Sequence, residues 1–332
     1  MGLSHSVGGK DGDIRFCVDY RKLNQMSKFD AYPMPRIDEV LESVGSARFI
    51  STLNLAKGYW QIPMADKSQE KTAFTTPYGL FEFHVMPFVL HNAPATFQRM
   101  MDEVLHDCRE FSRAYIDDVI VFSSTWEEHL EHLRQVFTCL RRANLSLKLR
   151  KCQFGLKQVE YLCHVIGSGE ILPNPKKIEA IHHYKRPESK TEVKSFLGLS
   201  GYNRKFVPQF ASISAPLTNL LKNGKCEKVE WTPECKRSFQ SLEKKLGESP
   251  ILVVPYSTKP FVVQIDASNI GIGAVLAQKG ADDNEHPVAL ASCKLKPREL
   301  NFLGGGKRVS SHHVGFTVLL PLPLQPTLCG SD

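Results

Sequence analysis

Residues 115–123 read YIDDVIVFS, two adjacent carboxylates between short runs of β-branched and aromatic residues. Tyr115-Ile116 and Val119 to Phe122 have the pattern of two strands, with Asp117-Asp118 as a tight turn between them. Aspartate is tolerated in turns, so a solvated hairpin tip is one reading. Long apolar strands on both sides imply instead a buried sheet, where unpaired carboxylates are costly. In that setting a cation has to neutralise them. Magnesium is the economical candidate, because it takes one or two carboxylates and leaves positions for substrate phosphates.

The rest of the chain limits where such a hairpin can sit. Its 332 residues allow two or three domains with cores of their own. Apolar content of 42% and charged content of 23% are those of an ordinary soluble globular protein. A net charge of +7 is compatible with a polyanionic partner without establishing one. Nine cysteines, an odd number with no C-x-x-C pair, argue for reduced thiols in an intracellular setting and against structural zinc. The opening MGLSHSVGGK lacks an apolar segment, and no run of about 18 apolar residues occurs, so neither a signal peptide nor a membrane span is expected.

Turn and cap signals divide the chain. Arg15 to Tyr20 and Ala47 to Leu53 read as strands, with a short helix over Ile37 to Val44 between them. Thr72 to Thr76 and Leu80 to Phe83 flank the turn Pro77-Tyr78-Gly79. Asn92 is placed to cap a helix carrying Pro94 in its first turn, followed by Phe97, Met101 and Leu105. After the Asp117-Asp118 hairpin, Ser124 and Glu127 have capping-box spacing for a helix with Leu130, Leu133, Phe137 and Leu140 on its apolar side. His129 and His132 on that helix have no third ligand nearby and read as solvated. Leu145 to Leu149 alternates as a strand, and a further hairpin is expected near Tyr161 to Ile166. Trp231-Thr232-Pro233 opens a helix holding Phe239, Leu242 and Leu246. Phe261 to Ile265 and Ile272 to Leu276 form a strand pair around Asp266.

Seven segments together carry a family resemblance: RFCVDYRKLN (15–24), YPMPRIDEVL (32–41), LNLAKGYWQIPM (53–64), KTAFTTPYGLFEFHVMPF (71–88), NAPATFQRMM (92–101), YIDDVIVFS (115–123) and KSFLGLSGYNRKFVPQF (194–210). In this order they resemble the polymerase of gypsy-class LTR retrotransposons, over about residues 10–302. The resemblance implies an α+β fold: right-hand polymerase fingers and palm over 1–167, shortened at the N-terminus, and a helical thumb and connection over 168–222. An incomplete, truncated ribonuclease H-like α/β domain over 223–302 and an unrelated, disordered tail over 303–332 would follow. It further implies RNA-directed DNA polymerase activity on an RNA/DNA primer-template with deoxynucleoside triphosphates, two magnesium ions and no membrane partner.

Site roles follow from the same resemblance. Asp117 and Asp118 belong to the family's catalytic, metal-binding cluster, together with the segment Asn54-Leu55. There the family's third carboxylate, an aspartate, is Asn54 in this chain. A neutral amide oxygen in place of a charged one predicts a weakened metal site and impaired chemistry. Arg15, Tyr59 and Phe88 match the nucleotide-binding positions, Arg15 gripping the triphosphate and Tyr59 packing under the sugar. Lys57 and Lys205 are among the expected phosphate contacts. The family's lysine run ahead of Asp11-Gly12 is Gly8-Gly9-Lys10 here. Val89 and Cys163 stand where it has glycine, and a β-branched residue is not expected to follow glycine into positive φ. Asp266 matches the first of four ribonuclease H carboxylates, a remnant without the others, since Asp332 is the sole acid in 303–332. Two function classes follow: an impaired reverse transcriptase with a ribonuclease H remnant, or a non-enzymatic nucleic-acid-binding relic of it.

Overall fold

The computed structural model describes residues 3–6, 15–45, 47–222, 228–248, 251–256, 259–267, 270–280 and 283–295. The 303–332 tail therefore lies outside the described residues. Near the N-terminus β1 (Leu3–Ser6) pairs antiparallel with β2 (Arg15–Val18), and α1 (Arg21–Met26) and α2 (Ile37–Val44) follow. Then come β3 (Phe49–Asn54), the single turn α3 (Asp66–Gln69), the hairpin β4 (Phe74–Thr76) and β5 (Gly79–Phe81), and α4 (Ala93–Val104). The acidic hairpin is β6 (Ser112–Tyr115) and β7 (Asp118–Ser123), followed by α5 (Trp126–Arg142) and β8 (Gln153–Leu156). Downstream lie β9 (Gln158–Tyr161), β10 (His164–Gly167), β11 (Glu170–Pro173), α6 (Pro175–His182), α7 (Lys190–Tyr202), α8 (Phe210–Leu220) and α9 (Pro233–Gly247). The last described elements are β12 (Leu252–Val253), β13 (Phe261–Ala267), β14 (Gly271–Lys279) and β15 (Glu285–Lys294).

The chain folds as two units, one of Met1–Arg36 with Ala47–Val159, the other of Ile37–Ser46 with Glu160–Asp332. In the first, strands run in the order β6-β7-β3-β8. One face of that sheet and helices α4 and α5 close over Leu53, Phe97, Met101, Val119, Val121, Leu133 and Val136, all buried. Burying these side chains is what holds β3 and β7 side by side.

In the second unit one sheet has the order β12-β11-β10-β9 and another β13-β14-β15. Ile181, Val193, Phe196, Leu217, Phe239 and Leu242 form a helical core shared by α6, α7, α8 and α9. Thr232 caps α9 by accepting from the backbone N–H of Cys235, as its Thr-Pro start predicts. β12 and β15 were not anticipated from the sequence. Leu252-Val253 is too short to show a period, and β15 carries Pro287, a residue that demotes a strand pattern.

Four local expectations are corrected. Asn92 precedes α4 but does not cap it through its side chain. Its carboxamide accepts from Asp30 N (3.2 Å) and donates to Lys28 O (2.7 Å), tying down the loop before α2 within a single fold of chain. The capping box of α5 is Thr125 with Glu128, one residue later than expected. The inward face of the helix is His129, Leu133, Val136 and Leu140, which leaves Leu130 and Phe137 exposed. His129 is therefore buried, bonded to Ser51 Oγ (2.7 Å) and Ser123 Oγ (2.9 Å) rather than solvated. Lastly, Leu145 to Leu149 forms only a bridge from Leu147 to Leu55. The Gln61 carboxamide takes up both backbone groups of Ser146, accepting from N and donating to O.

Candidate active site

The register of β3 on β7 places Asn54 directly opposite Asp118. One bond further, Leu55 N donates to Asp117 O at 2.9 Å, so the two segments meet end to end. Asp117-Asp118 thus sits where two central strands of the sheet converge, with Asp118 already on β7. Ile116 supports the turn with φ of 55°. A β-branched residue holds that conformation only when its surroundings impose it, and here the imposing group is Gln98. Wholly buried on α4, Gln98 accepts from Ile116 N (2.8 Å) and donates to Ala114 O (3.0 Å) and Asp102 Oδ1 (2.9 Å). This positioning residue was missed from sequence, although a glutamine on the same helix face as Phe97 and Met101 is a signal in itself.

Asn54 Nδ2 donates to Asp118 Oδ1 at 2.5 Å. Burial pushes the Asp118 carboxyl above the usual range, the Asn54 amide draws it back, the Asp117 charge raises it, and Lys151 lowers it. Lys151, a second residue the sequence reading missed, lies on a 3-10 turn (Leu149–Lys151) next to β3. Leu55, the other metal candidate on that segment, has its side chain buried in the core.

Tyr59 and Phe88, two of the three nucleotide-binding candidates, come together. Their rings lie 5.8 Å apart, and Tyr59 also meets Phe97 edge-on at 5.5 Å. Burial, then the Asp117 charge, then Tyr115, raise the Tyr59 hydroxyl above its usual range, so Tyr59 stands in the field of the acidic turn. Gly58 permits this approach: a Cβ there would lie 3.1 Å from Asp117 Cβ. Lys57 stacks over Trp60 at 5.1 Å. The Arg15 side chain lies outside the described residues.

The two glycine replacements behave differently from expectation. Val89 does adopt positive φ, at 77°, with its carbonyl accepting from Asn24 Nδ2 (2.9 Å), and Cys163 does so at 60°. The valine follows the loop into the left-handed region and bears the strain. Lys205 pairs with Asp38 Oδ1 at 3.0 Å and lies over the Phe206 ring. In the second unit Asp266 is exposed on β13, opposite Gly273, and accepts from Gln209 Nε2. Gln209 is a third residue the sequence reading missed, and its φ of 55° aims it there.

The donor set fits a divalent cation in part. Two carboxylates at converging strand ends suit a hard ion. The third position is an amide whose N–H already faces Asp118 and repels a cation. Among the described residues no three His, Cys, Asp or Glu side chains gather as a metal cluster, and no helix is long and apolar enough to cross a membrane.

Comparison with known proteins agrees with this geometry. The family described as "Reverse transcriptase (RNA-dependent DNA polymerase)" matches residues 7–166, and "RNase H-like domain found in reverse transcriptase" matches 231–309. The chain is 43% identical over 292 residues to the retrovirus-related Pol polyprotein from transposon 297 of Drosophila melanogaster, covering 87% of the chain and 27% of that protein. It is 39% identical to the corresponding polyprotein from transposon gypsy of the same organism, covering 87% and 28%. Against the transposon Tf2-3 polyprotein of Schizosaccharomyces pombe it is 33% identical, covering 89% and 22%. The chain thus spans about a quarter of the length of these curated relatives. Among solved structures, a foamy viral protease-reverse transcriptase in complex with double-stranded DNA superposes with a TM-score of 0.89 at 26% identity, covering 98% of this chain and 56% of that one. The same kind of enzyme in complex with an RNA/DNA hybrid gives 0.85 at 26% identity, covering 96% and 43%. Motif order, strand register and relatives agree, and the chain belongs to the family of gypsy-class retrotransposon Pol polyproteins, of which it carries a reverse transcriptase segment and an RNase H-like segment.

Proposed function

We propose that this chain is an RNA-directed DNA polymerase whose catalytic carboxylates are Asp117 and Asp118, and whose chemistry is weakened by Asn54. The reaction is attack of a primer 3′-hydroxyl on the α-phosphate of a deoxynucleoside triphosphate, forming a phosphodiester and releasing pyrophosphate. Polymerases of this family generally use magnesium, which would supply positive charge at the reacting phosphate. Asp117 and Asp118 would hold it, with the Leu55 carbonyl and the Asn54 oxygen as the remaining candidates. Tyr59 and Phe88 form the platform for the nucleotide sugar, and Arg15 takes the triphosphate. Primer-template is the polymeric partner, a reading supported by the nucleic acid in the foamy viral complexes.

The observation that carries this reading is the direct opposition of residue 54 and Asp118 on β3 and β7, with Tyr59 in the field of Asp117. The same proposal takes residues 1–167 as fingers and palm, 168–222 as thumb and connection, and 223–302 as the RNase H-like part. Asp266, bonded to Gln209 and without a metal-holding cluster around it among the described residues, is not expected to cleave hybrid RNA.

Primer extension on poly(rA)·oligo(dT) with magnesium tests the assignment. Weak extension is expected from the chain as it stands, at least about tenfold more from Asn54→Asp, and none from Asp117→Ala in either background. Extension that survives Asp117→Ala overturns it.

A further inference from the structure

Helix α5 carries more apolar surface than its core can use. Its inward face is His129, Leu133, Val136 and Leu140. Outside that face Trp126 is 43% exposed, Leu130 47% and Phe137 36%. With about 100° of rotation per residue these three fall within about 40° of one another, and Arg134 and Arg141 border the same stripe. The stripe continues onto β8, the edge strand of its sheet, where Phe154 is 44% exposed. Phe137 and Phe154 meet edge-on at 6.4 Å. The Trp126 ring lies so close to Gly155 that a Cβ there would stand 2.6 Å from it. Four large apolar side chains, Trp126, Leu130, Phe137 and Phe154, therefore form one connected patch within the first unit, and patches of this kind mark interaction sites.

Charge around the patch narrows the partner. Glu127, Glu128 and Glu131 occupy the N-terminal half of α5, and Arg134, Arg141 and Arg142 the C-terminal half, all exposed. An antiparallel copy of the same helix presents the opposite sequence of charges. The antiparallel register that best matches the apolar stripe has its two-fold axis between Leu133 and Arg134, where each Arg134 is already paired with Glu131 of its own helix. It sets Leu130 against Phe137 of the second copy, Trp126 against Arg141, and the glutamates of one helix beside the arginines of the other. Such self-complementarity is what an isologous contact requires. Arginine over the face of a tryptophan adds a cation–π contact.

We propose that the chain self-associates through α5, two copies packing antiparallel with Trp126, Leu130 and Phe137 at the centre and Phe154 at the flank. A 17-residue helix is about 25 Å long. Such a contact lies at the small end of specific interfaces, so a dissociation constant on the order of ten micromolar is expected.

Sedimentation velocity on nucleic-acid-free protein between about 1 and 100 μM, a range bracketing that constant, tests this. The expected result is a shift from monomer to dimer mass across the range. The double variant Leu130→Glu/Phe137→Glu should remain monomeric at the highest concentration while still unfolding cooperatively, because neither side chain belongs to the buried core. In a second pair of variants, Glu127→Lys/Glu131→Lys and Arg134→Glu/Arg141→Glu, each chain alone should be monomeric and an equimolar mixture should recover the dimer. Monomer mass throughout for the unaltered chain overturns the proposal. A dimer indifferent to Leu130→Glu/Phe137→Glu, or a mixture that fails to recover, overturns it equally.

Discussion

Replacing Asn54 by Asp should make the stability of the first unit depend on magnesium. In the present chain the Asn54 amide donates to Asp118 Oδ1 at 2.5 Å and partly offsets the cost of burying that carboxylate. The Asn54→Asp variant removes the donor and sets a second negative charge against the first, with Asp117 adjoining. Two like charges about 4 Å apart at an effective dielectric of about 20 repel by about 4 kcal/mol. Protonation of one carboxylate relieves part of this, so a loss of about 2 to 4 kcal/mol is expected near pH 8 without divalent ions. A bound cation reverses the sign, because it binds the folded state alone and stabilises by mass action. Urea unfolding with EDTA or with about 10 mM magnesium, a concentration well above that at which a carboxylate pair would fill, gives the comparison. The variant should be less stable than the parent in EDTA and recover most of the difference in magnesium, while the parent responds little. Equal magnesium stabilisation of both chains would refute the reasoning, since it would show that the amide does not disable the site. A variant at least as stable as the parent in EDTA would refute it too, by showing that residue 54 and Asp118 are not electrostatically coupled.

Three further outcomes follow from single residues. Burial of His164 (3% exposed), then the charge of Lys205, lowers its pKa from 6.5 to about 4, Lys177 adding to the effect while Leu162 O and Asp38 oppose it. The neutral folded ring thus contributes stability that is complete above about pH 6.5 and lost as pH falls towards 4, about 3 kcal/mol in all. Urea midpoints across that window should flatten by this amount in His164→Phe, and an unchanged slope would assign the pH dependence elsewhere. Val89→Gly should stabilise by about 1 kcal/mol, net of glycine's extra entropy in the unfolded chain, because Val89 sits exposed at φ of 77°; a lower melting temperature would contradict the strain argument. Asn203 is wholly buried with neither side-chain amide atom partnered among the described residues, so Asn203→Leu should gain about 1 to 3 kcal/mol in denaturant unfolding. A loss there would mean that the amide has a partner after all.

Sequence alone determined the family, the fold class and the acidic turn, for a local reason. YIDDVIVFS places its charges between strand-forming runs, Pro77-Tyr78-Gly79 marks the β4–β5 hairpin, and Thr232-Pro233 marks the start of α9, all through neighbours within a few residues. Motif order did the rest, naming Asn54 as the partner of Asp117-Asp118 across more than sixty intervening positions. Tertiary structure decided what those residues touch. The bond from Asn54 to Asp118 depends on the β3–β7 register, and the buried Gln98 that holds Ile116 at positive φ depends on α4 crossing beneath the turn. The orientation of α5 was undetermined for the same reason. Leu130 and Phe137 have as good a helical period as Leu133 and Leu140, and only docking against β7 and β3, with His129 drawn in by Ser51 and Ser123, selects the inward face. Periodicity tells how many apolar faces a helix has; the sheet it packs on tells which one is left over.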